Sequence, residues 1–153
     1  MWISAKVEYA LRAVLHLASN YGQGFVRIQD IAQEQRIPLK FLEQILLILK
    51  NAGYLKSKRG SGGGYFLTKR PEEIHLAEII QTMEVSLSPV ECIGDKSSVV
   101  CDQEAWCEFQ WLWRDIAAKT VSILEKTTFQ DLCDKRKRRM KNLYEDKSLK
   151  GET

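Results

Sequence analysis

Between residues 59 and 65 the chain reads Arg-Gly-Ser-Gly-Gly-Gly-Tyr, four glycines in five positions behind a cation. Glycine takes positive φ without steric cost, so such a run permits a sharp reversal and a close approach of backbone to a partner. Segments with strand character flank it, Tyr54-Leu55-Lys56-Ser57 before and Tyr65-Phe66-Leu67 after. A hairpin with a basic tip is the expected result. Alone, this is equally compatible with an ordinary surface hairpin. The segments around it decide between the two.

Upstream, Ser4 is placed to cap a helix running to about Asn20. Val7, Ala10, Leu11, Val14, Leu15 and Ala18 form one apolar stripe along it, and Gly22 and Gly24 end it. A short helix follows from Ile28 to Gln35, with Ile28, Ile31 and Ala32 inward. Pro38 suits the first position of the next helix, where its missing N–H costs nothing. That helix runs to about Asn51, with Leu39, Leu42, Ile45, Leu46 and Leu49 inward. Lys40, Phe41, Glu43, Gln44 and Lys50 fall on its other faces. Two short helices joined by a tight turn are the helix-turn-helix pattern, whose second helix enters the major groove. A plain helical hairpin is a commoner object. A helix, a helix-turn-helix and a basic glycine-tipped hairpin in that order is much rarer by chance. His16 reads as a solvated or core-edge residue, and His75 as a structural one.

Beyond Pro71, Ile74-His75-Leu76 has the character of a short strand, and Ala77 to Glu84 of a helix with Ile80 and Met83 inward. Residues 85–105 have weak periodicity and contain Pro89, Gly94 and the polar run Asp95-Lys96-Ser97-Ser98, so they read as a loop, of a length that in small proteins is usually functional or disordered. One long helix is expected from about Glu104 to Asp134. Trp106, Phe109, Trp113, Ile116, Thr120 and Ile123 recur at spacings of 3, 4, 3, 4 and 3, a seam for a partner helix. A homodimer along this seam is the favoured arrangement, and folding back onto the chain's own N-terminal part is the competing one. The two are compatible on different faces. Cys133 reads as a small buried hydrophobe. Lys135-Arg136-Lys137-Arg138-Arg139 opens a charged tail expected to fray, whose cations are more simply solvated than bound to nucleic acid. The fold class is thus mostly α with a small β-hairpin, a winged helix-turn-helix domain plus a long C-terminal dimerisation helix. Its divisions are a DNA-binding domain at 1–84, a cysteine-bearing loop at 85–105, the dimerisation helix at 106–134 and a flexible tail at 135–153.

Charge supports this division. Residues 1–70 carry eleven lysines and arginines against four acids, a balance of +7, whereas residues 71–105 carry one against eight, a balance of −7. A basic N-terminal half implies a polyanionic partner, and the acidic segment faces away from it. No apolar run is long enough to cross a membrane and no signal-peptide pattern opens the chain, so the cytoplasm is the default location. There cysteines are kept reduced. Cys92, Cys101 and Cys107, separated by eight and five residues, are candidate ligands for an iron–sulfur cluster. Zinc and a thiol–disulfide switch remain open for the same trio.

A symmetric dimer would set two recognition helices, residues 38–51, about one DNA turn apart, ~34 Å, against a roughly palindromic site. Gln44 suits adenine, Glu43 can accept from cytosine, and Phe41 can meet a thymine methyl, with Lys40 beside them. Arg59 at the wing tip suits a narrow minor groove, with the backbone of Gly60, Ser61 and Gly62 threading against the duplex. Lys56, Lys58 and Arg27 are candidate phosphate contacts. A small redox or electron-transfer protein using the same cysteines is the alternative from another class, and the basic helix-turn-helix half argues against it. A module whose long helix binds a different chain is another. No catalytic constellation points to an enzyme.

The segments AKVEYALRAVLHLA (5–18), LKFLEQ (39–44), RGSGGGYFL (59–67) and IHLAEIIQTME (74–84) resemble the winged-helix repressor family of the iron–sulfur cluster assembly regulator, which also holds the nitric-oxide-sensing and cysteine metabolism repressors. The resemblance covers roughly residues 1–134. It implies bacterial dimeric transcription factors that bind double-stranded DNA. It also implies a cluster of the 2Fe–2S kind on Cys92, Cys101 and Cys107, or another signal without a cluster, such as thiol oxidation. By the same resemblance Glu43 tunes sequence choice. The assembly regulator's histidine ligand falls here on Gln110, a poor ligand. The nitric-oxide-sensing branch takes a carboxylate near the start of its first helix, and Glu8 stands at that place, making it the leading fourth-ligand candidate. Without the resemblance, Glu8 is an ordinary solvated acid of a helix's first turn.

Overall fold

The computed structural model describes residues 3–83, 93 and 106–150. Among them run α1 (Ala5–Ser19), α2 (Ile28–Gln35), α3 (Leu39–Asn51), β1 (Leu55–Lys58), β2 (Gly64–Leu67), a 3-10 turn at Pro71–Glu73, α4 (Leu76–Thr82), α5 (Gln110–Lys126) and α6 (Phe129–Lys150). The strands pair antiparallel, with Leu55 opposite Leu67 and Lys58 opposite Gly64. No described helix is long and apolar enough to cross a membrane.

α1 is the central helix. The Ser4 side chain accepts from the Val7 N–H, as expected of its cap. Val7, Ala10, Ala13, Val14, Leu17 and Ala18 are all buried, more widely than one stripe, because α2, α3, α4, α6 and β2 all pack on this helix. Three alanines among them let neighbours come close. Leu42, Ile45, Leu46 and Leu49 of α3 fill the core from one side, and Ile74, Ile79, Ile80 and Met83 from another. Leu39 departs from the expected inward stripe. It sits in the first turn of α3 and is 42% exposed, because the core ends short of that turn.

The chain leaves α2 through a Schellman motif. Arg36 is left-handed at φ 51°, its N–H bonds the Gln33 carbonyl at 3.3 Å, and the Ile37 N–H bonds the Ala32 carbonyl at 2.9 Å. Ile37 is buried beneath the turn. This fixes the reversal of the helix-turn-helix without a glycine.

The single helix expected over residues 104–134 is two helices. α5 ends at Lys126, and Thr127 is extended. The reason is partly local. Thr128 and Asp131 form a reciprocal cap, with the Thr128 N–H donating to Asp131 Oδ2 at 2.9 Å and the Asp131 N–H donating to Thr128 Oγ1 at 3.2 Å. It is also partly distant, since the Leu76 N–H bonds the Thr127 carbonyl and the Phe129 N–H bonds the Ile74 carbonyl. The strand expected at Ile74-His75-Leu76 is thereby a single bridge, His75 to Thr128. α6 then folds back on the N-terminal domain. Phe129 is fully buried and Cys133 nearly so, with Ser19 Oγ 3.6 Å from the Cys133 sulfur. The basic run expected in a fraying tail lies within α6, which is helical to Lys150.

His16, expected at the edge, is buried. Its Nδ1 lies 3.3 Å from Gln35 Nε2 and 3.5 Å from a Glu34 carboxylate oxygen. Burial lowers its pKa below the usual 6.5, opposed by Glu34 and Asp30 of α2 and assisted by Arg136 of α6. The folded state therefore disfavours the proton. Stability is whole above the unfolded value and falls as pH drops through it toward the folded value. Urea midpoints should decline between pH 7.5 and 5.5, and His16→Gln should flatten that decline. Phe129→Ala should cost about 3–5 kcal/mol in urea titration, since it empties a fully buried aromatic site.

Candidate nucleic-acid interface

The wing begins with a turn. The Gly63 N–H bonds the Gly60 carbonyl at 3.0 Å, and Gly62, third in that turn, has φ 78°, the positive value a type II turn demands there. Arg59, Gly60, Ser61 and Gly62 are exposed at the tip. The base of the wing is a different matter. The Val26 N–H donates to the Tyr65 carbonyl at 2.9 Å, and the Tyr65 N–H returns a bond to the Val26 carbonyl at 2.8 Å. The segment before α2 thus adds a third, one-residue rung to the sheet. A Cβ on Gly64 would lie 2.3 Å from the Val26 carbonyl oxygen, so only glycine permits the approach.

This pairing folds the turn over the N-terminal end of α2. A cleft of about 460 Å³ lies between them, lined by Arg27, Ile28, Gln29, Lys58, Tyr65 and the turn residues 60–64. Arg27 caps α2 without a side-chain bond. The cleft thus joins two cations, a helix N-terminus and glycine backbone, and among protein surfaces that combination favours an anion. Lys58 also lies over the Phe25 ring, 5.8 Å from its centroid, and Phe25 meets Phe66 edge-on at 5.1 Å. Lys50 Nζ donates to Ser57 Oγ at 2.7 Å, tying the end of α3 to β1. Lys56, opposite Phe66 in the register, is exposed.

On α3 the expected reading residues Lys40, Phe41, Glu43 and Gln44 are all exposed. Leu47, not anticipated, is 57% exposed on the same helix. Two further residues were missed by sequence reasoning. Tyr9 of α1 meets Phe41 edge-on, with ring centroids 6.4 Å apart, and the Arg12 guanidinium lies 5.9 Å from the Tyr9 centroid. Their spacing on α1 marks them only as outward-facing, because the contact is made with a helix some thirty residues on.

Of the cysteine trio, Cys92 and Cys101 lie outside the described residues. Cys107 is a half-buried free thiol just ahead of α5. Glu8 is an exposed first-turn acid of α1 that pairs with Arg12 at 3.4 Å. Among the described residues no group of three potential metal donors is gathered. As a donor set, three thiolates and a carboxylate suit iron, and neither described member is locked in a buried bond that would bar it from ligation.

Against known proteins, residues 3–135 match the model of the Rrf2 family, described as an iron-dependent transcriptional regulator. The chain belongs to the Rrf2 family. It is 35% identical over 132 residues to the transcriptional regulator CymR of Bacillus subtilis, spanning 86% of this chain and 89% of that one. It is 33% identical over 132 residues to IscR of Aliivibrio salmonicida, spanning 86% and 77%. Among solved structures, CymR, the global cysteine regulator of B. subtilis, superposes with a TM-score of 0.75 at 34% identity, covering 88% of this chain and 97% of that one. IscR of T. potens gives 0.72 at 27%, covering 89% and 88%. This Rrf2 member is therefore a DNA-binding transcription regulator of winged-helix fold and not an enzyme, as its sequence leads one to expect.

Because Gly64 sets the wing against α2, Gly64→Ala should weaken duplex binding in an anisotropy titration. It should also cost about 1–3 kcal/mol of stability in urea, the usual range for overpacking.

Proposed function

We propose that this chain is a dimeric operator-binding regulator in which α3 and the wing grip the duplex and a thiol-held cofactor tunes the grip. The observation that carries the DNA contacts is the cationic cleft between the wing turn and the N-terminal end of α2. A backbone phosphate is the anion that DNA offers there. Arg27 and Lys58 flank it, and Lys56 meets a neighbouring phosphate. α3 then lies in the major groove, where Gln44 pairs with adenine, Glu43 accepts from cytosine, Phe41 packs on a thymine methyl and Lys40 adds charge. Arg59 enters the adjoining minor groove, with Gly60, Ser61 and Gly62 bringing backbone close.

A second copy along α5 is supported by what that helix leaves bare. None of its seventeen residues is buried. Ile123 is 65% exposed and Trp111 70%, and Trp106 and Phe109 just ahead of it are more than half exposed. Val121 and Leu124 pack against the core, but the rest of this apolar helix is bare and calls for a partner, and the Trp113, Ile116, Thr120 and Ile123 spacing suits a copy of itself. Such a regulator acts in the cytoplasm, where its operator lies.

For sensing, Cys92, Cys101 and Cys107 would hold an iron–sulfur cluster, most simply 2Fe–2S, with Glu8 as fourth ligand. When bound, that group supplies sensitivity to iron and oxidant. The family's description as iron-dependent supports this. The near-equal likeness to CymR of B. subtilis, a global cysteine regulator, and to the oxidised form of CymR of Staphylococcus aureus supports a second reading, thiol or ligand sensing without a cluster. Anaerobically purified protein with visible absorbance and bound iron and sulfide, lost in the Cys92, Cys101 and Cys107 triple alanine variant, establishes the first. A colourless, iron-free protein that still answers oxidant establishes the second. Sedimentation should find a dimer in either case.

Arg59→Ala should weaken operator binding several-fold and reduce the salt slope by about 1. Unchanged affinity and slope would remove the wing tip from the interface.

A further inference from the structure

The first three turns of α1 carry a set of contacts that the DNA-reading residues do not include. Arg12 Nη2 donates to the carbonyl of Gln35, the last residue of α2. Arg12 Nη1 pairs with Glu8 at 3.4 Å. Its guanidinium stands 5.9 Å from the Tyr9 ring, and Tyr9 meets Phe41 of α3 at 6.4 Å with planes 68° apart. We propose that Arg12 and Tyr9 are positioning residues for operator reading, Arg12 fixing the turn between α2 and α3 and Tyr9 fixing the ring of Phe41. The proposal rests on the reading of Phe41 as a residue that meets a thymine methyl.

The reasoning begins at the end of α2. A helix leaves its last four carbonyls without intrahelical partners. The Schellman motif uses those of Ala32 and Gln33. Of the two that remain, the Gln35 carbonyl stands beside the left-handed Arg36 that sets the angle of the turn. Arg12 supplies its donor from a different helix, so α1 clamps the turn from outside. A planar guanidinium can bond a carbonyl and a carboxylate while lying over a ring, and a lysine ammonium cannot reproduce that fork. Tyr9 is held in turn. It is half-buried, whereas Phe41 is 53% exposed. An aromatic ring that far into solvent samples several rotamers unless a neighbour restricts it, and an edge-to-face partner is such a restriction. Sequence specificity from an apolar contact demands that the ring be aimed, so losing Tyr9 should degrade discrimination before it degrades overall affinity.

The test uses full-length protein and a duplex that the wild type selects from a randomised pool. Each thymine of one half-site is replaced by uracil, which removes only the methyl. Binding is measured for wild type, Phe41→Ala, Tyr9→Leu, Arg12→Gln and Arg12→Lys, with melting temperature and low-salt binding to unrelated DNA as controls for folding. Wild type should lose affinity several-fold at one uracil position, and Phe41→Ala should erase that loss. Tyr9→Leu and Arg12→Gln should shrink it while leaving unrelated-DNA binding in place, with Arg12→Lys restoring it only in part. Should Arg12→Gln melt out, Arg12→Lys and Tyr9→Leu carry the comparison. If Tyr9→Leu and the arginine variants keep the full wild-type ratio while Phe41→Ala erases it, the positioning proposal falls and the reading of Phe41 stands. If no uracil position matters to the wild type, both fall together.

Discussion

Two backbone hydrogen bonds between Val26 and Tyr65 tie the wing to the helix-turn-helix. A two-stranded hairpin is marginal by itself in water, and β1 and β2 pair over only four positions. The third rung at Val26 anchors the hairpin to the segment that opens α2. It also brings Phe25 against Phe66 and Lys58 over Phe25. The wing is thereby tied to the segment that opens the helix-turn-helix. Gly64 makes this possible by what it lacks, since any Cβ there would strike the Val26 carbonyl. The glycine run is therefore asymmetric. Its first members form an exposed turn, and its last two are packing requirements, Gly63 against the Lys58 carbonyl and Gly64 against that of Val26.

Most of the helical skeleton was legible in the sequence, since α1 to α4 announce themselves by apolar spacing, caps and stops. What escaped were consequences of contacts between distant segments. Ala13 and Leu17 lie outside the expected stripe of α1 and are buried all the same, because helices pack on this one from several sides. His16 is buried on a helix against which α2 and α6 both pack, with Gln35 of α2 beside its ring, which no local pattern encodes. Leu39 fits the periodicity and is nonetheless exposed, because periodicity gives direction and not how far a core extends. At the site, the exposed faces of α3 and the wing tip were readable as cations and polar groups out of register with the apolar stripe. Tyr9 and Arg12 were not, because their partners are on other helices.

The break after α5 teaches the same lesson more sharply. Thr128-x-x-Asp131 is a helix start visible in the sequence, but the heptad spacing that runs up to Ile123 invites a continuous helix through it. Local capping and long-range pairing act together here. Thr127 and Phe129 bond the backbone on either side of His75, and Phe129 drops into the core. The cations from Lys135 onward, which composition alone assigns to a solvated tail, are carried on a helix whose first turn is anchored against α1.

That anchoring constrains how a signal at α5 reaches DNA. In the proposed dimer the seam lies along α5, and the C-terminal end of α5 is bonded directly to the N-terminal end of α4 through Leu76 and Thr127. α4 packs on α1 and α3. In that dimer a change in how two α5 helices meet would be passed to α3 as a movement of packed helices, since close-packed cores shift between discrete arrangements more readily than they deform. α6 would oppose such movement, because it packs on the same α1 with Cys133 against Ser19, while Phe129 is buried in the core. In the proposed dimer the response would then be set by a competition between the intersubunit seam, which could reorient α5, and the intrachain contacts of α6, which would resist it.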